Sequence, residues 1–479
     1  MLKDKTVLGV FWSFSEQMTR RGISVLVTLF LAYFLTPEDY GLVAMITLFL
    51  TLGNVLMESG FKQALIRKKE ISELDLNTAF YSNISLAFLS CFLLFFIAPF
   101  ASEYYNEPRL TLLIRVSSIL LLFNSFQTVQ AALLSKKIQF KKLLKANIPA
   151  TGISSIFSIL LAYYDYGAWA LIWQMLIFSI LSSFFLWLQS DWRPSLIFSL
   201  KSLRDMYQYG YKLFLSSVLE VIYKNIFVIV IAKYFSVSLA GLFFFADRIK
   251  DLLVTQLITS IQTVTFSSLS IIQDDSERLK NAYRKIMKVM TFSIFPILIV
   301  FSALSELIFQ IFLPEKWLPS VPFLQIMCLS CLIIPITSIN LNVIKVKGRT
   351  DWYLYLEIIK KSTAFLILFF TIEYGVIAIL LGQAFSQIIN YFPSVYFSSK
   401  LVNYNISQQL GDFIPNLILS MIVGCIVLVG QNLIYYPPIV ELLLLSFASI
   451  FIFFSLALLF RMTSFYLFLG LIKGLVNKK

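Results

Sequence analysis

Tyr33-Phe34-Leu35-Thr36-Pro37-Glu38-Asp39-Tyr40-Gly41-Leu42 returns, one residue shorter, as Tyr234-Phe235-Ser236-Val237-Ser238-Leu239-Ala240-Gly241-Leu242. A second pair recurs at a similar distance: Asp165-Tyr166-Gly167-Ala168-Trp169-Ala170-Leu171 and Glu373-Tyr374-Gly375-Val376-Ile377-Ala378-Ile379. Offsets of about 200 and 208 residues predict two homologous halves. Each motif is flanked by apolar windows long enough to cross a bilayer, and six such windows separate the equivalents. An even number keeps both halves in the same orientation, related by an axis along the membrane normal, an arrangement that commonly puts a substrate cavity between them. The glycine of each motif is expected to let the chain reverse tightly just outside the bilayer.

Working outward, the 479 residues are 58% hydrophobic and 14% charged, where a soluble domain carries roughly 25% charged residues. The fourteen apolar windows run 11–35, 41–58, 80–101, 110–134, 148–164, 168–188, 209–234, 240–266, 289–313, 321–345, 353–371, 376–397, 413–434 and 439–460. The fold class expected is therefore all-α integral membrane, with about fourteen transmembrane helices. Residues 1–206 and 207–400 form the two six-helix halves, and 401–479 adds two helices and a tail. No small-residue cleavage pattern follows the N-terminus, so the first helix is read as uncleaved.

Lys and Arg orient the spans. Of 39, the N-terminus and the loops after even-numbered helices hold 27, counting Lys345 at the end of its span with the loop that follows. The loops after odd-numbered helices hold Arg109 and Lys316, and ten lie within spans. Basic excess marks the cytoplasmic side, so both termini are expected there. The same alternation disposes of nucleic acid as the reason for a net charge of +13, since each basic cluster is short and tethered to one membrane face. The segment from Asp274 to Met290 is expected to lie on that face as an amphipathic helix, and Gly470 to Lys479 likewise. Trp169, Trp192, Trp317 and Trp352 near span ends read as interfacial anchors. The absence of histidine removes His-based acid–base and metal chemistry. All four cysteines fall in apolar stretches, and the C-x-x-C of Cys328 and Cys331 reads as small helix residues.

Shorter pieces carry a family resemblance over nearly the whole chain. They are Thr36-Pro37-Glu38-Asp39-Tyr40-Gly41, Glu58-Ser59-Gly60-Phe61 through Ile66, Gln139-Phe140-Lys141, and Tyr166 to Leu171 with Gln174. Trp192-Arg193-Pro194 with Phe198-Ser199, Lys316-Trp317, Gly348-Arg349 and Tyr374-Gly375-Val376 complete the set. In that order and spacing the chain resembles the Wzx-type polysaccharide-unit flippases of the MOP (multidrug, oligosaccharidyl-lipid, polysaccharide exporter) superfamily, nearest the colanic-acid-type branch. It departs where the family often has proline near Phe266-Ser267-Ser268, and at Pro314, where the family often has glycine. The resemblance implies a MATE-like fold in a bacterial inner membrane. It also implies movement of undecaprenyl-diphosphate-linked oligosaccharide to the outer leaflet for O-antigen or exopolysaccharide biosynthesis, with a polysaccharide polymerase and chain-length regulator as partners.

A diphosphate head needs a wet, cationic passage while its tail stays in lipid. A lone charge at mid-bilayer costs at least about 2.5–3.5 kcal/mol, so charges inside spans are the candidates. The substrate-binding set is Arg20 and Arg21 in the first helix, Lys212 and Lys224 in the seventh, and Arg248 and Lys250 in the eighth. Glu16, Glu220, Asp247 and Asp251 are candidates for proton coupling, because burial raises a carboxylate toward neutrality. No cofactor is expected; a proton or sodium gradient would drive the cycle. Glu16–Arg20, Asp247–Lys250 and Arg248–Asp251 have helical spacings that would also allow simple pairing. A membrane glycosyltransferase or ligase would want exposed carboxylates in sizeable loops, which this chain lacks. A multidrug exporter of the same superfamily is the closer rival; in the first and seventh helices the candidates Arg20, Arg21, Lys212 and Lys224 stand against Glu16 and Glu220, which favours an anionic cargo.

Overall fold

The computed structural model describes residues 2–68, 70–433 and 436–476, with side-chain positions for all of these but 2–11, 13–16, 21, 209, 212, 255–264, 267, 268, 471, 472 and 474–476. Every regular element among the described residues is helical. The chain divides into two compact units, Met1–Phe244 and Phe245–Lys479. The first contains α1 (Leu2–Phe34), α2 (Pro37–Glu58), α3 (Phe61–Arg67), α4 (Glu73–Tyr105), α5 (Arg109–Ser118), α6 (Leu120–Lys136), α7 (Phe140–Tyr163), α8 (Ala168–Gln189), α9 (Leu200–Tyr234) and the start of α10 (Val237–Ser270). The second holds the rest of α10, then α11 (Ser276–Phe312), α12 (Val321–Ser330), α13 (Ile333–Val346), α14 (Thr350–Thr371), α15 (Val376–Val402), α16 (Ile406–Leu433), α17 (Pro438–Leu459) and α18 (Thr463–Val476).

Eleven helical stretches among the described residues are long and apolar enough to span a membrane. The chain is a multi-pass, all-α membrane protein. Three of the fourteen expected windows, in α1, α10 and α14, are helical but are not among those eleven. They are the windows that carry Glu16, Arg20 and Arg21, Asp247 to Asp251, and Glu357, Lys360 and Lys361.

Two of the spans are broken in mid-course. α5 and α6 form one span interrupted at Ile119, and α12 and α13 form another interrupted at Cys331-Leu332. Neither break contains proline. At both, serine hydroxyls bond carbonyls three residues back: Ser118 to Arg115 O at 2.7 Å, and Ser330 to Met327 O at 2.8 Å. Such bonds compete with the helical ladder and bend it. Cys328 and Cys331 are buried at the second break, packed as part of the interior.

The repeated motif sets local structure first. Thr36 accepts from the Asp39 amide and Asp39 from the Thr36 amide, a reciprocal cap with Pro37 in the first turn. Ser236 caps α10 from one side only, accepting from Leu239 N at 3.1 Å, since leucine has no acceptor to return the bond. Gly41 and Gly241 then fall one turn inside α2 and α10, so the expectation that they make the turns is corrected. What they permit is a close crossing. A Cβ on Gly241 would overlap the Pro37 carbonyl oxygen and lie 2.7 Å from Gly41 N. Gly60 and Gly210 make a similar approach, a Gly60 Cβ falling 2.6 Å from Gly210 Cα. Only a missing side chain lets backbones come this near.

Two further expectations are corrected in the second unit. The basic segment after Asp274 is no separate surface helix; it runs without interruption into α11. No breaker intervenes, and its apolar stripe of Leu279, Tyr283, Met287 and Met290 is buried in protein. Trp317 is not an interfacial anchor but is fully buried, stacked at 4.0 Å on Phe245. Of the terminal surface segment, Gly470 lies in α18, several side chains beyond it fall outside the described residues, and α18 itself begins earlier, with Phe465 buried against Phe292.

Asp412 on α16 joins α11 to this arrangement. Its carboxylate accepts from Arg284 Nε at 2.7 Å and Nη2 at 3.0 Å, lies 3.2 Å from Lys288 Nζ, and accepts from Tyr404 Oη at 2.7 Å. Removing it would leave two cations facing an emptied interior site. Asp412→Ala is expected to cost about 2–4 kcal/mol of stability, read as a lower melting temperature in detergent.

Candidate functional site

In unit 1 the candidate residues lie on α1 and α9. The side chains of Glu16, Arg21 and Lys212 lie outside the described residues; Arg20 is exposed. On α9, Lys224 Nζ and Glu220 Oε1 are 2.7 Å apart, one turn from each other on the same face. Their side chains are 68% and 57% exposed. Lys224 lies ten residues before the end of α9 at Tyr234, about 15 Å along the axis and hence near mid-span. An ion pair open at that depth faces either lipid or water. A charge is costly in hydrocarbon, which makes this pair a candidate for lining a wet path.

In unit 2 the candidate residues lie on the charged stretch of α10. Lys250 binds Asp247 in a short ion pair and Asp251 at 3.3 Å, with its own side chain largely buried. The expected Asp247–Lys250 pair is present. The expected Arg248–Asp251 pair is not, because Lys250 sits between the two carboxylates and takes both. Arg248 is left half-buried with no ion-pair partner among the described residues. It lies eleven residues into α10, about 16 Å from the helix start. The triad around Lys250 has one negative charge in excess, and Arg248 beside it brings the set to neutrality.

Uncharged polar networks, absent from the sequence reading, run through both units. In unit 1, Asn124 donates to Asn54 at 3.1 Å and Gln127 donates to Asn124 at 2.9 Å. Ser182 bonds Gln127 at 2.8 Å and Asn147 at 3.0 Å, so α2, α6, α7 and α8 are tied together. In unit 2, Asn340 donates to Ser394 at 3.1 Å, and Thr363 to Asn390 at 3.0 Å, linking α13, α14 and α15. The signal that could have found them is amide and hydroxyl residues recurring in corresponding windows of the two halves. Among the described residues no group of three Cys, Asp or Glu is placed to hold a metal ion.

Arg109, one of two basic residues expected on the outer side, is held between Glu107 at 2.7 Å and Glu38 in a short pair. The Arg109 guanidinium holds the Glu107 carboxyl below its ordinary range. Its charge is thus cancelled locally, which removes it as a counter-signal to the basic loops.

The polysaccharide biosynthesis protein family matches residues 30–322, more than half of the chain. The chain belongs to that family. The lipopolysaccharide biosynthesis protein WzxC of Escherichia coli (strain K12) is 26% identical over 441 residues, 90% of this chain and 89% of the relative. Among solved structures, the lipid II flippase MurJ in an inward closed conformation superimposes with a TM-score of 0.76 at 16% identity, over 95% of this chain and 99% of that one. An inward-facing MATE family multidrug transporter of the MOP superfamily follows with 0.60 at 15% identity, over 81% and 98%. The fold is therefore that of MurJ and the MATE transporters, as the family resemblance implied. The solved proteins that share it are named as a flippase and as a multidrug transporter.

Proposed function

We propose that this chain is a flippase of the Wzx type, carrying an undecaprenyl-diphosphate-linked oligosaccharide from the inner to the outer leaflet of a bacterial cytoplasmic membrane. The halves 1–206 and 207–400 alternate access around a hydrated cavity, 401–479 adds the last two helices, and both termini are cytoplasmic. The observation that carries the reading is Arg248, a half-buried cation about 16 Å along α10 with no ion-pair partner among the described residues. A charge kept there at such cost is explained by an anionic passenger. Lys224, Arg20, Arg21, Lys212 and Lys250 make up the rest of the cationic set. Similarity to WzxC over nine-tenths of the chain supports the same class of cargo.

Depleting the chain from its own cells is the first test. Surface polysaccharide should fall while lipid-linked repeat units accumulate. Intact polysaccharide with a changed tolerance to cationic drugs would favour the second reading, a multidrug exporter. One feature speaks for that alternative: the excess carboxylate in the Asp247–Lys250–Asp251 triad suits a cation.

Glu220 and Asp247 are proposed to couple the cycle to a proton or sodium gradient. Each already faces a lysine, so protonation or cation binding would release that lysine to a phosphate. Collapsing the gradients in vesicles should slow flipping severalfold. A rate indifferent to both ions would remove these two residues from the cycle.

A further inference from the structure

α11, α16 and α18 meet around a recess of about 430 Å³ that the transport path does not use. One side of it is polar. Lys288 and Arg284 share the single carboxylate of Asp412, so the cluster keeps one positive charge in excess. Lys288 Nζ also donates to Thr463 Oγ1 at 3.3 Å. The N-terminus of the fourteen-residue α18 opens on the same side; the Met462 backbone carbonyl accepts from Phe465 N at 3.1 Å and Tyr466 N at 3.5 Å, which leaves the Thr463 and Ser464 amides as the open donors. No side chain among the described residues caps those two amides. Ser464 lines the recess, is only 4% exposed, and its hydroxyl has no hydrogen-bond partner among the described residues. A hydroxyl, open amides, the positive end of a helix dipole and an ammonium thus converge on one volume. That donor set suits a phosphate.

The other side is apolar and continues outward. Pro415, Ile418 and Ile422 of α16 line it, and the two isoleucines, one turn apart on the same face of a membrane span, stay exposed beyond it. A free phosphate would leave that face bare. A phosphate attached to an acyl chain would cover it. We propose that the recess holds the phosphate of an anionic glycerophospholipid, with its oxygens on the α18 amides, Ser464 and Lys288, and one chain lying along Ile418 and Ile422. The lipid replaces the missing N-cap of α18 and pins that helix to α11 and α16. Asp412 does not repel it, because Arg284 and Lys288 more than neutralise the carboxylate.

The test uses the full-length chain purified in detergent, with native mass spectrometry and thermal melting as readouts. Three probes are titrated: dioleoylphosphatidylglycerol, dioleoylglycerol with the same chains and no phosphate, and glycerol 3-phosphate with the phosphate and no chains. The phosphatidylglycerol should bind about tenfold or more tighter than dioleoylglycerol and raise the melting temperature, and glycerol 3-phosphate should not displace it. Ser464→Asp places a carboxylate on the open helix end, which favours the helix but excludes the phosphate. It should melt no lower than wild type without lipid and lose the tightest phosphatidylglycerol site. Lys288→Gln should weaken that site severalfold. The proposal is overturned if Ser464→Asp binds phosphatidylglycerol as wild type does, if dioleoylglycerol binds equally well, or if glycerol 3-phosphate competes at equal concentration.

Discussion

Gly241→Val is expected to abolish accumulation of the folded protein, or to leave it about 3 kcal/mol or more less stable. The reason is what surrounds the missing side chain. A Cβ at this position would overlap the carbonyl oxygen of Pro37 and press on Gly41 N at 2.7 Å, both of them backbone atoms that no rotamer change can move aside. Gly41→Val should behave alike, its Cβ overlapping the Val237 carbonyl oxygen. The comparison that isolates the effect is Gly152→Ala in α7, where an added Cβ meets nothing within 4 Å. There alanine should be neutral or stabilising by about 0.5–1 kcal/mol, because glycine gives up more chain entropy on entering a helix. Melting temperatures and membrane abundance of the three variants would decide it. Equal melting of Gly241→Val and wild type would mean that the crossing of α2 and α10 is not held at contact distance.

The second large effect concerns transport rather than folding. Lys224→Glu and Arg248→Glu are each expected to reduce export of repeat units about a hundredfold or more, with membrane abundance unchanged. Lys224→Glu sets two carboxylates one helical turn apart where an ion pair of 2.7 Å stood. Arg248→Glu adds a third carboxylate beside Asp247 and Asp251, with only Lys250 to offset them. Both changes turn a charge-balanced set acidic, which repels a diphosphate. Lys224→Arg and Arg248→Lys keep the charge and should retain most export. Charge is then separated from packing, since the conservative variants alter shape as well. Normal export from both reversals would detach these residues from the cargo.

Much of the fold was legible because hydrocarbon thickness imposes a length on every span. Each of the fourteen apolar windows falls on helix among the described residues, and eleven of these stretches are long and apolar enough to cross a membrane. What stayed hidden has physical causes. Gly41 and Gly241 carry no side chain whose chemistry distinguishes a turn from a crossing; only the partner backbone does. The lysines and arginines after Asp274 suggested a surface helix, whereas Leu279, Tyr283 and Met287 bury their faces in protein and the helix continues into α11. The mid-span breaks at Ile119 and Cys331-Leu332 contain no proline, so the serines that bend them gave no conspicuous sign. For the candidate site, charge identity was readable but pairing was not. Lys250 has two carboxylates within reach on its own helix, and spacing alone could not say that it takes both and leaves Arg248 over.

The most direct measurement is leaflet-resolved flipping in vesicles. The purified chain is reconstituted into liposomes carrying an undecaprenyl-diphosphate-linked oligosaccharide from its own cells, and an impermeant glycosidase reports how much cargo reaches the other leaflet. Wild-type protein should raise the accessible fraction with time, and the Arg248→Glu variant at equal density should not. Cargo that stays in its original leaflet with wild-type protein, under imposed proton and sodium gradients alike, would contradict the account.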